Sequence, residues 1–210
     1  VGNHSVSFSD DGTILAIGDL SIDTNGEDSG QVKIFQYDTS SSLWVQIGQT
    51  ILGETTGDEV GKYISLSGDG KTIAISSPNS DGELGLGANT GRVRIFNYQD
   101  DKWIQIGSNI DGDTDGDFLG RSLSLSNDGK EIAIGAPIAD SNSLTNNGYL
   151  KIFELDSIAP TIQEVTSTSN DGFFKGGDNI KISIEFSEEV NVITSNGLPT
   201  IELDVGKDYD

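Results

Sequence analysis

Ser5-Val6-Ser7-Phe8-Ser9-Asp10-Asp11-Gly12, Tyr63-Ile64-Ser65-Leu66-Ser67-Gly68-Asp69-Gly70 and Ser122-Leu123-Ser124-Leu125-Ser126-Asn127-Asp128-Gly129 are three versions of one phrase. Their turn glycines lie 58 and 59 residues apart in a chain of 210 residues. Repetition at this period marks a supersecondary unit that cannot bury its apolar faces alone and must stack on copies of itself. The Ser-apolar alternation predicts a strand, and the Asp-Gly pair that ends it predicts a tight hairpin, since glycine accepts positive φ without steric cost.

A second strand follows each hairpin: Leu15-Ala16-Ile17-Gly18, Ile73-Ala74-Ile75-Ser76 and Ile132-Ala133-Ile134-Gly135. Bulky residues point to one face and alanine with glycine or serine to the other, a pattern that predicts cover on both faces and excludes a solvated single sheet. Third strands read Val32-Lys33-Ile34-Phe35-Gln36-Tyr37, Val93-Arg94-Ile95-Phe96-Asn97-Tyr98 and Leu150-Lys151-Ile152-Phe153-Glu154-Leu155. Fourth strands read Trp44-Val45-Gln46-Ile47-Gly48 and Trp103-Ile104-Gln105-Ile106-Gly107, and the third copy has none. Four-stranded units repeating in this way predict the blades of an all-β propeller, here a partial one of about three blades, the last lacking its outer strand. Three blades fall short of the roughly four to eight of a closed ring, so the expected partners include the remaining blades of a larger propeller.

Phe118-Leu119-Gly120, Ser122-Leu123-Ser124-Leu125 and Glu131-Ile132-Ala133-Ile134-Gly135-Ala136-Pro137 together resemble the FG-GAP repeat of integrin-α-like propellers, in the divergent form common in large secreted bacterial proteins. The resemblance covers residues 1–155. The calcium loop of the integrin pattern has no counterpart between these segments, where only the turn Ser126-Asn127-Asp128-Gly129-Lys130 stands. Residues 156–210 resemble the N-terminal part of a bacterial Ig-like repeat, through Ala159-Pro160, Val165, Asp171-Gly172, Gly177-Asp178, Phe186-Ser187-Glu188 and Leu203-Asp204-Val205-Gly206. An incomplete Ig-like β-sandwich is therefore expected after the blades, because about 55 residues are too few for a complete one of roughly 100. Within it Ile180, Ile182, Ile184 and Phe186 alternate with Lys181, Ser183 and Glu185, predicting a strand with one buried and one wet face.

Twelve Lys and Arg stand against 34 Asp and Glu, a net charge of −22. That field repels phosphate backbones and anionic lipid, which disfavours nucleic acid and membrane partners. No cysteine is present, so disulfide and thiol chemistry are excluded. With His4 the only histidine, a Ser-His-Asp arrangement or a histidine-rich zinc site lacks material. A non-enzymatic chain is the expectation.

Asp111-Gly112-Asp113-Thr114-Asp115-Gly116-Asp117 is the sharpest local motif, since alternating carboxylates before a glycine can wrap a hard cation. Asp111, Asp113, Asp115 and Asp117 are the candidate metal ligands, and Ca2+ the candidate cofactor. Against this, Ser122 and Leu119 stand where an EF-hand or an integrin-type loop needs an acid. One copy earlier, Leu52-Gly53-Glu54-Thr55-Thr56-Gly57-Asp58 keeps only Glu54 and Asp58 of the set. Trp44 and Trp103 recur at equivalent strand positions, which favours packing over a sugar platform.

Strand order places the long Asp-, Asn- and Ser-rich connections (19–30, 77–91 and 136–148) on one rim with the acidic links between copies. Loops on a rigid scaffold favour binding. The resemblance implies a non-catalytic adhesion, ligand-binding or scaffold region, extracellular or on a bacterial surface, whose ligand is a protein or glycan. Its alternative is an accessory propeller region of a secreted carbohydrate-active enzyme with catalytic residues outside this chain.

Overall fold

The computed structural model describes residues 4–82, 88–140, 145–155, 162–167 and 181–186, and all regular structure among them is β-strand. By internal packing the chain divides into a unit of residues 1–157 and a unit of residues 158–210.

The first unit holds three antiparallel sheets. β1 (His4–Phe8), β2 (Ile14–Asp19), β3 (Gln31–Asp38) and β4 (Leu43–Gln46) pair in sequence order, and β5 (Ile51–Leu52) pairs with the start of β3. The second sheet runs β6 (Ile64–Leu66), β7 (Thr72–Ser77), β8 (Arg92–Gln99) and β9 (Lys102–Asp111). The third has β10 (Ser122–Leu125), β11 (Glu131–Ala136) and β12 (Tyr149–Glu154), with no outer strand among the described residues. The outer strand differs from the expected five-residue segment. β9 continues to Asp111 through a register shift, whereas in the first sheet the same path is split into β4 and β5.

Each hairpin phrase caps itself. Ser9 Oγ donates to Asp11 Oδ1 at 2.7 Å, and Asp11 Oδ1 accepts the Thr13 N–H at 2.9 Å. Ser67 with Asp69 and Ser126 with Asp128 repeat the device. The tips also join the sheets, because the Asp10 N–H donates to Gly68 O at 2.9 Å and the Gly68 N–H to Asn127 O at 2.8 Å. Alternate serines do the same one turn away. Ser7 Oγ accepts from the Leu66 N–H and Ser65 Oγ from the Leu125 N–H, each at 3.0 Å. The serine pattern thus stitches the innermost strand of one sheet to that of the next.

Two cores lie between the three sheets. The first packs Ala16, Val32 and Ile34 of one sheet against Leu66, Ile73, Ile75, Phe96 and Trp103 of the next. The second packs Ala74, Val93 and Ile95 against Leu125, Ile132 and Ile134. At each seam the bulky face of one sheet sits on the small-residue face of its predecessor. β7 is buried at every position, as predicted for cover on both faces. In β2 and β11 burial is uneven, because among the described residues the first and third sheets each pack against one other sheet.

In the second unit β13 (Ile162–Ser167) pairs antiparallel with β14 (Ile182–Phe186). Ile182 and Phe186 are half-buried, while Ile184 is exposed with its polar neighbours, so the expected alternation holds in part. The remaining residues of the Ig-like resemblance lie outside the described segments. No helix long and apolar enough to cross a membrane occurs among the described residues.

Candidate functional site

The rim opposite the hairpins gathers the long loops and the acidic links. They are zippered together: the Gly53 N–H donates to Gly30 O, Gly57 N–H to Glu27 O, Glu59 N–H to Asp28 O and Val60 N–H to Ser29 O, at 2.9 to 3.0 Å. Gly112, Gly116, Phe118 and Leu119 bond in the same manner to Gly91, Ala88, Asn89 and Thr90. Gly91 has φ +79°, and a Cβ there would lie 2.3 Å from the Leu119 backbone, so glycine is required where loop and link touch.

β8 carries two arginines into the first seam. Arg92 forks onto Asp111, its strand-pair partner, with Nε to Oδ1 at 2.7 Å and Nη2 to Oδ2 at 3.0 Å. Its Nη1 donates to Glu54 of the preceding link at 2.9 Å. Arg94 donates to the other Glu54 oxygen at 3.1 Å and to Leu52 O at 2.8 Å. The Asp111 hydrogen bond, outweighing burial, raises the pKa of Arg92, while burial beside Arg92 lowers that of Arg94 despite Glu54.

At the second seam β12 presents Tyr149 and Lys151 in the same two positions. Lys151 Nζ lies 2.7 Å from Asp113 Oδ1 and 3.3 Å from Asp111 O, and the Tyr149 hydroxyl donates to Asp117 Oδ2 at 2.8 Å. Burial and then the Asp117 bond push the Tyr149 hydroxyl well above its ordinary pKa. The clamp is thus conducted twice with different residues: a side chain at alternate positions of the third strand reaches back to an acid in the preceding link.

Three of the four candidate metal ligands have separate engagements. Asp111 holds Arg92 and Asp113 holds Lys151. Asp117 is 1% exposed and staples its own link, with Oδ2 accepting the Asp113 and Thr114 N–H groups at 2.8 and 2.9 Å and Oδ1 accepting Thr114 Oγ1 at 2.8 Å. Burial raises its pKa, but the hydrogen bonds from Thr114, Tyr149 and Asp113 more than offset this and the net shift is downward. Asp58 staples the earlier link in the same way through Glu54 N–H and Thr55. Asp115 lies in the same turn, exposed. Among the described residues no group of three or more His, Asp or Glu side chains is placed to hold a metal ion. A calcium ion bound by Asp111 and Asp113 would have to displace Arg92 and Lys151.

Three further aspartates order the long loops. Asp23 Oδ1 accepts the Asp28 N–H at 2.9 Å, Asp81 Oδ1 the Asn89 N–H at 3.0 Å, and Asp140 Oδ1 the Asn146 N–H at 2.8 Å. Each stands four residues beyond the end of its sheet's second strand, at Asp19, Ser77 and Ala136. That constant offset was visible in the sequence and identifies them. The clamp has a fainter signal, a basic residue at the same third-strand position in all three copies: Lys33, Arg94 and Lys151.

No family model matches the chain, and no curated protein matches it. Solved structures do. A protein assigned as a 6-phosphogluconolactonase from Bacteroides uniformis ATCC 8492 is similar at 20% identity and a TM-score of 0.40, over 78% of this chain and 43% of that one. Prolyl oligopeptidase B from Galerina marginata, bound to a 35mer hydrolysis and macrocyclization substrate, is similar at 10% identity and a TM-score of 0.35, over 87% of this chain and 26% of that one. The chain therefore spans less than half the length of either protein.

Proposed function

We propose that this chain is a non-catalytic scaffold and ligand-binding region of an extracellular bacterial protein. The observation that carries the reading is the division of labour on the rim. Arg92, Arg94, Tyr149 and Lys151 are engaged by the links of the preceding sheets. Asp23, Asp81 and Asp140 anchor the long loops from within. Among the described loop residues these arrangements leave Ser21, Thr24 and Glu27 of the first loop and Pro137, Thr145 and Asn146 of the third exposed, side chains that differ between copies, which is how a rigid scaffold presents a recognition surface. The extracellular and bacterial setting rests on the resemblance to FG-GAP-like repeats.

The ligand class is a protein or glycan, and the net charge of −22 favours one that is neutral or basic. A glycan array and a panel of basic and neutral extracellular proteins, probed with the 210-residue chain, test the reading. Binding that is lost when the exposed side chains of Ser21, Thr24 and Glu27 are all replaced by alanine, with the melting temperature unchanged, is the expected result. Binding that persists through replacement of all three long loops overturns it.

A further inference from the structure

The two terminal sheets leave opposite halves of the repeating seam open. On the third sheet Leu150 and Ile152 are 62% and 68% exposed, although their counterparts Val93 and Ile95 in the second sheet are 0% and 3% exposed. These are the small-residue face, the seat that receives a bulky face at both existing seams. On the first sheet Phe8 and Trp44 are 53% and 40% exposed, whereas Leu66 and Trp103, at the same positions, are 7% and 2% exposed. That is the bulky face without a seat.

The polar stitching is incomplete at the same two places. Ser124 occupies the position of Ser7 and Ser65, whose hydroxyls accept the N–H of Leu66 and Leu125 in the following sheet. The matching donor on an open edge is the N–H of Phe8. Asn127 occupies the position of Asp10 and Gly68, whose N–H groups donate to the hairpin carbonyl of the following sheet. The matching acceptor is Asp10 O.

We propose that two copies of this chain associate head to tail, the bulky face of the first sheet of one copy seating on the small-residue face of the third sheet of the other. The contact extends a seam already built twice within the chain, through the positions of Val93 and Ile95 and the same serine and hairpin hydrogen bonds, while the outer-strand seat that Ile47 and Gln49 give Trp103 has no counterpart among the described residues of the third sheet. It is heterologous, joining different patches, and such contacts form a ring when the rotation closes. Two copies hold six sheets, inside the range of about four to eight found in closed propellers. A further sheet of the same repeat supplied by a longer polypeptide is the competing occupant.

Light scattering during gel filtration of the 210-residue chain reads the outcome directly. The expected mass is that of two chains. Ile152→Asp destroys the seat and Phe8→Asp the bulky face, and each side chain is exposed within one copy, so circular dichroism should show unchanged folding. Each variant alone is expected to have the mass of one chain. An equimolar mixture of the two is expected to recover a two-chain species, because one copy keeps the seat and the other the bulky face. Single-chain mass for the unsubstituted protein overturns the proposal and leaves the competing occupant. Self-association of either variant alone, or a mixture that stays monomeric, overturns the head-to-tail arrangement.

Discussion

Asp117 shows what the acidic residues of this chain do when packing withdraws them from water. Its two oxygens accept four hydrogen bonds, from the Asp113 and Thr114 N–H groups, Thr114 Oγ1 and the Tyr149 hydroxyl. Removing a buried acceptor leaves donors unsatisfied at roughly 1–3 kcal/mol, so Asp117→Ala is expected to lose about 2–3 kcal/mol in urea unfolding. The carboxyl's pKa is lower folded than unfolded. Its stabilisation is therefore complete above the ordinary aspartate value of 3.8 and disappears as pH falls through the folded value. Tyr149 acts at the other end: its pKa is raised by folding, so stabilisation is complete below the ordinary 10.0 and is lost as pH rises beyond it. Melting temperatures measured across pH should fall at both ends, with Tyr149→Phe flattening the alkaline limb. An alkaline limb unchanged in that variant would show that other groups carry it. Arg92 makes the sharper case, since Arg92→Met removes the guanidinium forked onto Asp111, whose side chain is 10% exposed. Breaking one partner of such a pair costs about 3–5 kcal/mol, and adding Asp111→Asn is expected to restore part of it.

Between elements, identical motifs acquire different weights from what they meet. Trp103 on β9 donates its indole N–H to Ile47 O at 3.1 Å, and its backbone exchanges two hydrogen bonds with the Gln49 side chain. Trp44 on β4 instead packs at the open face against Tyr37 and Phe8, with ring centres 5.3 and 6.1 Å away. In the Ile152→Asp chain, where association is blocked, Trp103→Ala is expected to cost about 3–5 kcal/mol, as for a large buried aromatic, and Trp44→Ala clearly less, in parallel denaturant titrations. Equal costs would refute the seam as the source of the difference. The same contrast explains what was legible in the sequence. Strand order and hairpins could be read because they depend on neighbours a few residues apart. That both tryptophans pack was legible too, but not that Trp103 is buried and Trp44 exposed, since the seat of Trp103 lies 54 to 56 residues away at Gln49 and Ile47. Nor does local spacing reveal that Asp111 faces Arg92 or that Asp113 faces Lys151, 19 and 38 residues distant. Spacing shows which acids share a turn, and only the packed sheets show which cations reach them.

For the three-sheet unit as a whole, stability should be graded along the array, because each sheet touches only its immediate neighbours. The second sheet contributes to both cores, while the first and third contribute to one each. Opening the array from either end sacrifices one seam, whereas freeing the second sheet requires the loss of both. Local opening energies follow that difference, and amide hydrogen exchange reads them position by position. In the Ile152→Asp chain, where association is blocked, amides of β7 and β8 are expected to exchange most slowly, and those of β1, β2, β11 and β12 faster. Uniform protection across the three sheets would show that they unfold as one cooperative block and would refute the graded array. Association adds a distinct signature. The Phe8 N–H sits on the free edge of β1, at the position where Leu66 and Leu125 donate to a serine of the preceding sheet. In the unsubstituted protein that amide should slow toward the rates of Leu66 and Leu125 as concentration rises, because only a second copy brings Ser124 to it.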